Sequence, residues 1–549
     1  VEYSLTYSRA KWINKWRNLK INPALKLPEA NPFLPESLEV LAFQGAVQLT
    51  HQSLVGLKNE GLSAGVLKRL ESTQDKLWES WGKLLTSLEI SPQADSSEKL
   101  RELIRKHALG NPKILQDDEF AKIWFQQDFR FETPKAQLMF RIHSPEVYSS
   151  PRNAVLSQLY TDAISEGLNE FGYPIRLAGL EYGIHVDKKG VNLTFSGYSD
   201  RIQELVKTVA GRLKKITIDN KTFNTLKEVR LRRYQNFHFR QPYQQAFYFR
   251  SLLLEGHKFS IMDYEKEIKK IKLKDLKKFA NKLYDRLYIE GLAYGNLREE
   301  TVLEAVGVLQ EKLDGKPLAE AKRFVNSVRQ ISAGESHTFT RIMQVENSAV
   351  VTDIQVGQRN PKLQAALMVV DSLMQPQFYN ELRTSQQLGY IVNSGMTVLE
   401  KTLGLIFIIQ SGEYNTEILE QRMDAFLEKF YLSLKELPDL ELNKIKKSVL
   451  HSKLQKTTSV TSEAGRLFVI AFEKNAEFDQ NSKEITAVEE LTKKDILAVV
   501  KSYLLPSKQR KLILRMSGKN HEKGKSAGKL ITSMANFKAQ YACPENCLP

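Results

Sequence analysis

Cysteine is almost absent from this chain of 549 residues, and the two that occur, Cys543 and Cys547, both lie in the last seven positions. Two cysteines cannot build a disulfide framework or a four-cysteine zinc site. A small disulfide in the tail is one interpretation of the pair. Two exposed thiols at a frayed end is the interpretation we favour.

Long apolar runs are also missing. The longest candidate, "LGLIFIIQ" at residues 403–410, is far shorter than the roughly 18–20 residues of a membrane helix and has the length of a buried strand. No membrane span is therefore predicted. The chain starts with Val1 and shows no signal-peptide pattern, so we expect a processed chain or one piece of a larger protein. Its compartment stays unknown, with a periplasmic or other extracytoplasmic location slightly favoured over the cytoplasm.

Complete catalytic motifs are missing as well. None of the nine histidines forms H-E-x-x-H or H-x-x-E-H; in "HSPEV" at His143, Val147 replaces the second histidine and Pro145 opposes a regular helix. The glycines before Lys525 do not have phosphate-loop spacing, and no G-x-S-x-G elbow occurs. The sequence predicts neither a metal site nor a self-sufficient catalytic set within this chain.

Positive charge is present in excess. The formal net charge is +16, with lysines concentrated at residues 264–278 and 508–529. The electrostatic field of this surplus positive charge attracts anionic partners. Because the basic runs are not interleaved with aromatic residues that could stack on bases, we do not predict nucleic-acid binding.

The first part of the chain is predicted to be helical. A short helix is expected at residues 9–19, followed by an extended, proline-punctuated segment up to residue 40, and residues 41–116 are predicted as a helical segment. One helix there would place six apolar residues on one face: Leu77, Trp78, Trp81, Leu84, Leu85 and Leu88. A second would start at Asp95, with Glu98 at capping-box spacing.

The remainder contains one pattern twice. Pro151 and Pro361 each open a helix behind a capping Ser or Asn and are 361 − 151 = 210 residues apart, and Tyr182 and Tyr390 are 390 − 182 = 208 apart. We predict an α+β fold with two copies, at residues 117–325 and 326–549. Each copy would be an α/β sandwich of a mostly antiparallel sheet with helices on one face.

The stretch "FYNELRTSQQLGYIVNSG", residues 378–395, is predicted to run from a helix into a strand and carries Arg383 and Tyr390. A guanidinium and a phenol that converge on a carbonyl oxygen would stabilise negative charge developing there, or hold a peptide backbone in register. A purely structural alternative pairs Arg383 with Glu381 or the helix end and packs Tyr390 in the sheet. At the 208-residue offset Arg383 falls on Ile175, so only the second copy has the cation.

The segment "QPQFYNELRTSQQLGYIV" resembles the C-terminal half of the insulin-degrading enzyme and pitrilysin metallopeptidases, the inverzincins. "LPEANPFLPESLEV" is similar to that family's linker between halves, so residues 1–40 would be the tail of a preceding domain and this linker. "IWFQQDFRFETPKAQLMFRIHSP" resembles the start of the third domain. The helical segment at residues 41–116 is longer than the family's short connector, and we have no functional account of it.

The resemblance implies a function that two halves share. Zinc and its H-x-x-E-H ligands would belong to an N-terminal half that this sequence lacks, together with the water and Glu base of hydrolysis. The present half would close a chamber around peptide substrates and contribute Arg383 and Tyr390 to the scissile region, with Gln387 and Gly389 as further substrate contacts. Of the family's basic anion-binding segment, Lys453 and Lys456 remain.

Two other functions stay open. The chain could be a catalytically inactive binding or scaffold subunit of the same superfamily. It could also be a basic nucleic-acid binder, which would bind single strands with strong salt dependence.

Overall fold

The computed structural model describes residues 15, 17, 19–20, 30–41, 47–49, 51–58, 62–74, 76–78, 81–88, 111–522 and 524–541. Most of the helix predicted at residues 9–19, the helix predicted from Asp95, and both cysteines lie outside these residues.

The N-terminal segment consists of short elements around a small leucine core. Its strands and helices are β1 (Val47–Gln48), α1 (His51–Lys58), α2 (Ala64–Glu71), β2 (Leu77–Trp78) and α3 (Trp81–Ser87). The buried leucines are Leu49, Leu54, Leu57, Leu70, Leu84 and Leu88. The prediction of one continuous helix was wrong at Leu77 and Trp78, because these residues pair with Gln48 and Val47 as an antiparallel strand and helix α3 begins only at Trp81.

The first unit, residues 113–317, contains a seven-stranded sheet and eight α-helices. Its strands are β3 (Lys113–Asp117), β4 (Ala121–Gln127), β5 (Lys135–His143), β6 (Leu180–Val186), β7 (Gly190–Tyr198), β8 (Arg286–Gly295) and β9 (Lys316–Pro317). Its helices are α4 (Pro151–Gly167), α5 (Asn169–Leu177), α6 (Ile202–Ala210), α7 (Asn220–Gln235), α8 (Pro242–Leu254), α9 (Ile261–Lys270), α10 (Leu273–Lys282) and α11 (Glu299–Leu313). Strand β3 begins ahead of residue 117, the predicted start of the first copy.

A linker segment, residues 318–335, leads to the second unit, residues 336–541, which has a six-stranded sheet. Its strands are β10 (Ser336–Ile342), β11 (Ser348–Gln358), β12 (Ile391–Leu399), β13 (Thr402–Ser411), β14 (Lys511–Ser517) and β15 (Lys529–Leu530). Its α-helices are α12 (Pro361–Phe378), α13 (Thr416–Glu436), α14 (Asp439–Leu454), α15 (Val460–Glu473), α16 (Gln480–Glu490), α17 (Lys493–Tyr503) and α18 (Met534–Gln540). A π-helical turn, Tyr379–Ser385, extends α12.

The two sheets have the same strand order. The first sheet has the order β3-β4-β8-β5-β7-β6 and the second the order β15-β10-β14-β11-β13-β12. The second to sixth strands of one order correspond to the second to sixth strands of the other. In both, the fourth, fifth and sixth strands are antiparallel, whereas β4–β8 and β10–β14 are parallel pairs. The predicted α+β class with mostly antiparallel sheets is confirmed.

Local capping chemistry starts the two corresponding helices. The Ser150 side chain accepts a hydrogen bond from the Asn153 amide, and that of Asn360 accepts from the Leu363 amide, with Pro151 and Pro361 in the first turn. A side-chain acceptor satisfies an amide that the helix leaves unpaired, and proline there loses no helical hydrogen bond. The predicted caps are confirmed.

Each sheet has a second covered face, which the prediction of helices on one face missed. Helix α15, from the second unit, packs on β5 and β8 of the first unit, with Leu467 and Phe468 against Trp124 and Leu292. Helix α8, from the first unit, packs on β11, β13 and β14 of the second. The strands are apolar on both faces because both faces are buried.

The extended segment at residues 30–41 is bound along the first unit. Phe33 is buried in its core, Asn31 Nδ2 donates to the Pro174 carbonyl at 2.8 Å, and the Leu41 amide donates to Asn296 Oδ1 at 2.7 Å. Among the residues described, no helix is both long and apolar enough to cross a membrane.

Candidate functional site

The Arg383–Tyr390 motif lies on a turn between α12 and β12. The π-helical turn Tyr379–Ser385 carries Arg383, and buried Leu382 and Leu388 fix the two ends of the connection. The Leu388 amide donates to the Leu382 carbonyl at 3.0 Å. The π-helix is rare and appears mostly as such single turns in α-helices, frequently at functional sites.

Arg383 is held by two aromatic residues. Its Nε donates to the Tyr390 carbonyl at 3.2 Å, and Nη1 donates to the Tyr379 hydroxyl. Its guanidinium carbon lies 4.9 Å from the Tyr379 ring centroid and 5.3 Å from that of Tyr390. Cation–π contacts and hydrogen bonds fix the plane of a guanidinium without neutralising it.

The alternative that pairs Arg383 with Glu381 is wrong. Glu381 instead accepts from Lys429 Nζ at 2.7 Å. Within the described part of the chain, no carboxylate lies within 4.0 Å of the Arg383 guanidinium. The guanidinium therefore has no anionic partner among the described residues.

Tyr390 does not pack in the sheet. Its side chain is 85% exposed, and this value rules out the structural alternative for this residue. Tyr182, its counterpart in the first unit, is partly buried against the first core, and burial raises the pKa of its phenol. Ile175, the counterpart of Arg383, is buried in that core, and the cation near Tyr182 is instead the exposed Arg176.

Gln387 and Gly389 shape the turn. Gln387 has φ of 53°, in the left-handed region, and its side chain is exposed. A Cβ on Gly389 would lie 2.0 Å from the Gln410 carbonyl oxygen on β13, which no side chain tolerates. The absence of a side chain at Gly389 is therefore a requirement of backbone packing, whatever contacts the turn makes with substrate.

Tyr379 was missed by the sequence reasoning. It lies four residues before Arg383, a spacing that places two side chains on one helical face. That spacing was the available signal. Its hydroxyl is an acceptor that sets where Nη1 of Arg383 points.

Lys453 and Lys456 line a different cavity, of about 150 Å³. Lys453 forms an ion pair with the buried carboxylate of Glu484, which also accepts from Arg359 Nη2 at 3.2 Å. Neighbouring Lys474 is half-buried, and this burial together with repulsion by Arg359 lowers the pKa of its ammonium to about 8. The cavity is lined by five cationic side chains, Arg130, Lys453, Lys456, Arg466 and Lys474, and by two carboxylates, Glu463 and Glu484.

The described residues do not fit a zinc ion. Nowhere in the described ranges do three His, Cys, Asp or Glu side chains converge as metal ligands would. Buried His143 has its Nε2 3.0 Å from Glu290 Oε2, and no third potential ligand joins these two among the described residues.

Two domain models match the sequence. Residues 92–267 match the middle or third domain of peptidase M16, and residues 369–468 match domain 4 of the C-terminal lobe of PqqF-like proteins, described as a PQQ synthase. The second match contains the whole turn with Arg383 and Tyr390.

Full-length relatives match over most of the chain. Human insulin-degrading enzyme is 27% identical over 501 residues, which cover 90% of this chain and 43% of the relative. The Arabidopsis thaliana protein named insulin-degrading enzyme-like 1, peroxisomal, is 27% identical over 429 residues, 76% of this chain and 44% of the relative. The chain thus spans less than half the length of these curated relatives.

Solved structures share the fold. The crystal structure of pitrilysin superposes with a TM-score of 0.72 at 18% identity, covering 82% of this chain and 50% of that one. A peptidase M16 inactive domain from Pseudomonas fluorescens gives a TM-score of 0.57 at 18% identity, covering 76% of this chain and 99% of that one.

The fold, the domain matches and the relatives together define the class as a peptidase-family α+β protein of two sheets. The chain belongs to the peptidase M16 family, that of insulin-degrading enzyme and pitrilysin, and corresponds to its C-terminal half.

Proposed function

We propose that this chain is the non-zinc half of a pitrilysin-like metalloendopeptidase, which encloses peptide substrates and contributes Arg383 and Tyr390 to the scissile region. The observation that carries the proposal is the turn itself. It presents a guanidinium without a carboxylate partner among the described residues beside a phenol that is 85% exposed.

The chemistry follows from the donors. Arg383 keeps hydrogen-bond donors beyond the two it uses on Tyr390 and Tyr379, and the Tyr390 hydroxyl supplies another. The Arg383 guanidinium is held by Tyr379 and the Tyr390 carbonyl before substrate arrives, so it can stabilise a carbonyl oxygen as it gains negative charge without reorganising. The Tyr390 ring lies beside it and leaves its hydroxyl exposed for the same oxygen. Their shared role is to position the scissile carbonyl and stabilise the oxyanion. Gln387 and Gly389 would border the substrate on the same turn.

Zinc would belong to the other half. The described residues of this chain do not fit the ion, so its ligands and the base that works with it are assigned to an N-terminal half, in the same polypeptide or as a separate subunit. This chain would bring the substrate backbone to that centre.

The test is hydrolysis of a quenched fluorescent peptide by this chain alone and after mixing with a separately made zinc-bearing N-terminal half. The proposal expects no activity from the chain alone and activity on mixing that is lost with Arg383→Ala. Chelator-sensitive activity of the chain alone would overturn the half-enzyme role.

A scaffold role is the second candidate. It is supported by the Pseudomonas fluorescens structure, which is described as an inactive domain and of which nearly the whole chain is matched. Association with the N-terminal half without any gain in activity on mixing would favour this candidate. Affinity for single-stranded nucleic acid is expected from neither.

Anion binding near Lys453 and Lys456 is a further part of the proposal. The five cationic side chains of that cavity outnumber its two carboxylates. The low pKa of Lys474 reflects its burial and repulsion by Arg359, to which Lys453 and Arg466 of the cavity add. Inorganic triphosphate should therefore raise the melting temperature of the chain, and Lys456→Gln should reduce that effect.

A further inference from the structure

A second cavity, of about 270 Å³, lies where the two units and the linker segment meet. The first unit contributes His143, Lys189 and Glu290, and the linker segment contributes residues 320–330. The second unit contributes the β12–β13 hairpin at residues 400–402 and the end of α15. None of the residues of the Arg383–Tyr390 turn lines this cavity.

Three buried polar atoms on its walls have no hydrogen-bond partner among the described residues. They are Nδ1 of His143, Nε of Arg323 and Oδ1 of Asn326. His143 is only 4% exposed, and its other nitrogen faces Glu290. Buried polar atoms are almost always hydrogen-bonded, so three in one cavity indicate that a polar molecule belongs there.

Part of the charge around the cavity is already paired. Arg141 Nη1 lies 3.1 Å from Glu290 and 2.7 Å from Glu473, and Lys189 lies 2.6 Å from Glu473. These two carboxylates are therefore committed to cations of the protein.

Four further charged side chains remain on the walls. Arg323, Lys401, Glu320 and Glu400 form no ion pair within 4.0 Å in the part of the chain that the structure describes. The charges of these two cations and two anions sum to zero, but each side chain could still attract a ligand group of the opposite charge. A net-neutral molecule with separated charges satisfies both.

The placement of these groups favours the same ligand. The guanidinium of Arg323 stacks 3.3 Å from the Tyr288 ring centroid, which fixes the plane from which its nitrogens donate. Glu400 accepts from Asn326 Nδ2 at 2.8 Å, which orients the amide and leaves Oδ1 as an acceptor. Apolar side chains of Phe324, Val328 and Phe472 complete the walls.

We propose that this cavity binds a small zwitterion, a free amino acid or dipeptide with an apolar side chain. Its carboxylate would pair with Arg323 and Lys401 and its ammonium with Glu320, Glu400 and Asn326 Oδ1. The site is separate from the proposed peptidase function and does not depend on it. Because both units line the cavity, the bound molecule would hold them together and raise the melting temperature.

Isothermal titration of this chain with the dipeptide Ala-Leu, its C-terminal amide and its N-acetyl form tests the proposal. Ala-Leu should bind, and each blocked form should bind at least about ten-fold more weakly, because each loses one charged hydrogen-bonded contact. Arg323→Gln and Lys401→Gln should each weaken Ala-Leu by a similar factor. Lys322→Gln, an exposed neighbour outside the cavity, is the matched control and should bind like the unchanged chain.

Tyr390→Phe should also leave Ala-Leu affinity unchanged, which separates this cavity from the Arg383–Tyr390 turn. The melting temperature of each unliganded variant shows whether it is folded, and Lys401→Gln, on a hairpin, tests the site if Arg323→Gln does not fold. No binding of Ala-Leu at 10 mM, equal binding of all three compounds, or unchanged binding by folded Arg323→Gln and Lys401→Gln would each overturn the proposal. None of these results bears on peptide hydrolysis by the assembled halves.

Discussion

Arg250 on α8 donates through Nε to Oδ2 of Asp353 on β11, at 2.8 Å, and both side chains are buried. The bond joins a helix of the first unit to the middle of the sheet of the second. In the corresponding contact of α15 with the sheet of the first unit, the sheet carries the cation and the helix the carboxylate. Arg141 on β5 lies 2.7 Å from Glu473 on α15. Helices α8 and α15 each pack on the sheet of the other unit, an arrangement we call the exchange of α8 and α15. Each helix is joined to that sheet by an ion pair as well as by apolar packing.

Replacing Arg250 by Met should strongly destabilise the chain. The change leaves Asp353 buried without its cation, which costs about 3–5 kcal/mol for comparable pairs. Calorimetric melting temperatures measure the effect. Arg232→Met is the control, since its pair with Glu228 is exposed and should contribute less than about 1 kcal/mol. Equal melting temperatures for the two variants would contradict the prediction, and Asp353→Leu added to Arg250→Met should restore stability.

Tyr390→Phe should lower kcat of the assembled enzyme by about ten-fold or more with little change in KM, because the lost hydroxyl would act mainly in the transition state. Steady-state kinetics on a fluorescent peptide measure both constants. Tyr182→Phe, at the corresponding position of the first unit, should leave both unchanged. An unchanged kcat in Tyr390→Phe would remove the proposed role.

Tyr379→Phe should reduce kcat/KM by roughly two- to ten-fold, since one hydrogen bond of about 0.5–1.5 kcal/mol no longer holds Arg383. A double-mutant cycle separates positioning from packing. In an Arg383→Ala background, Tyr379→Phe should cause no further loss. An additive loss there would show that Tyr379 acts independently of Arg383.

Gly389→Ala should disrupt the start of β12. The new Cβ would lie 2.0 Å from the Gln410 carbonyl oxygen, and overpacking of this kind costs about 1–3 kcal/mol or more. Thermal unfolding measures the loss. Gly395→Ala on the same strand is the matched control, because a Cβ there meets nothing within 4 Å. Equal melting temperatures for the two variants would contradict this prediction.

Docking of the C-terminal helix α18 should weaken below pH 6.5. His337 Nε2 lies 2.6 Å from the hydroxyl of Tyr541, which also donates to Glu335. Burial lowers the pKa of His337 despite the nearby Glu335 carboxylate. Above pH 6.5 the imidazole is neutral whether folded or unfolded. Below it, the unfolded chain gains a proton that the folded chain resists, so stability falls as the pH drops through 6.5 toward the folded pKa.

Hydrogen exchange of α18 between pH 5 and 8, corrected for intrinsic rates, measures this effect. The hydrogen bonds to Glu335 lower the pKa of its carboxyl to about 2, so Glu335 stays largely ionised in this range and does not add to the change. Protection should fall toward pH 5 in the unchanged chain and much less in His337→Gln. The same pH dependence in both proteins would assign the effect to another group.

The sequence predicted the local parts of the fold well. Ser150 and Asn360 allowed the starts of their helices to be predicted, because a capping side chain bonds to an amide only three residues away. The strand at residues 135–143 could be predicted because its apolar residues alternate along the sequence. The exchange of α8 and α15 could not be predicted, because periodicity tells which residues are buried but not which sheet buries them. Leu77 and Trp78 fit a helix by period, yet pairing with residues 47 and 48 makes them a strand.

The site was predicted in the same uneven way. Arg383 and Tyr390 were singled out because the motif is long. The exposure of Tyr390 and the hydrogen bonds of Arg383 exclude the structural alternative, whereas the role of both residues toward substrate stays a prediction. The partner of Lys453 could not be found, since Glu484 lies 484 − 453 = 31 residues further along the chain and only the fold brings it near. The Tyr379 contact was available from its spacing to Arg383 and was overlooked.

The exchange of α8 and α15 has a consequence for how the molecule can be divided. It has the form of a domain-swapped dimer whose two protomers have been joined into one polypeptide. A cut in the linker segment would leave each piece carrying the helix that the other piece needs, and each sheet with one bare apolar face. The pieces should therefore aggregate when made separately and be recovered only when refolded together, so the cooperative unit is the pair rather than either half.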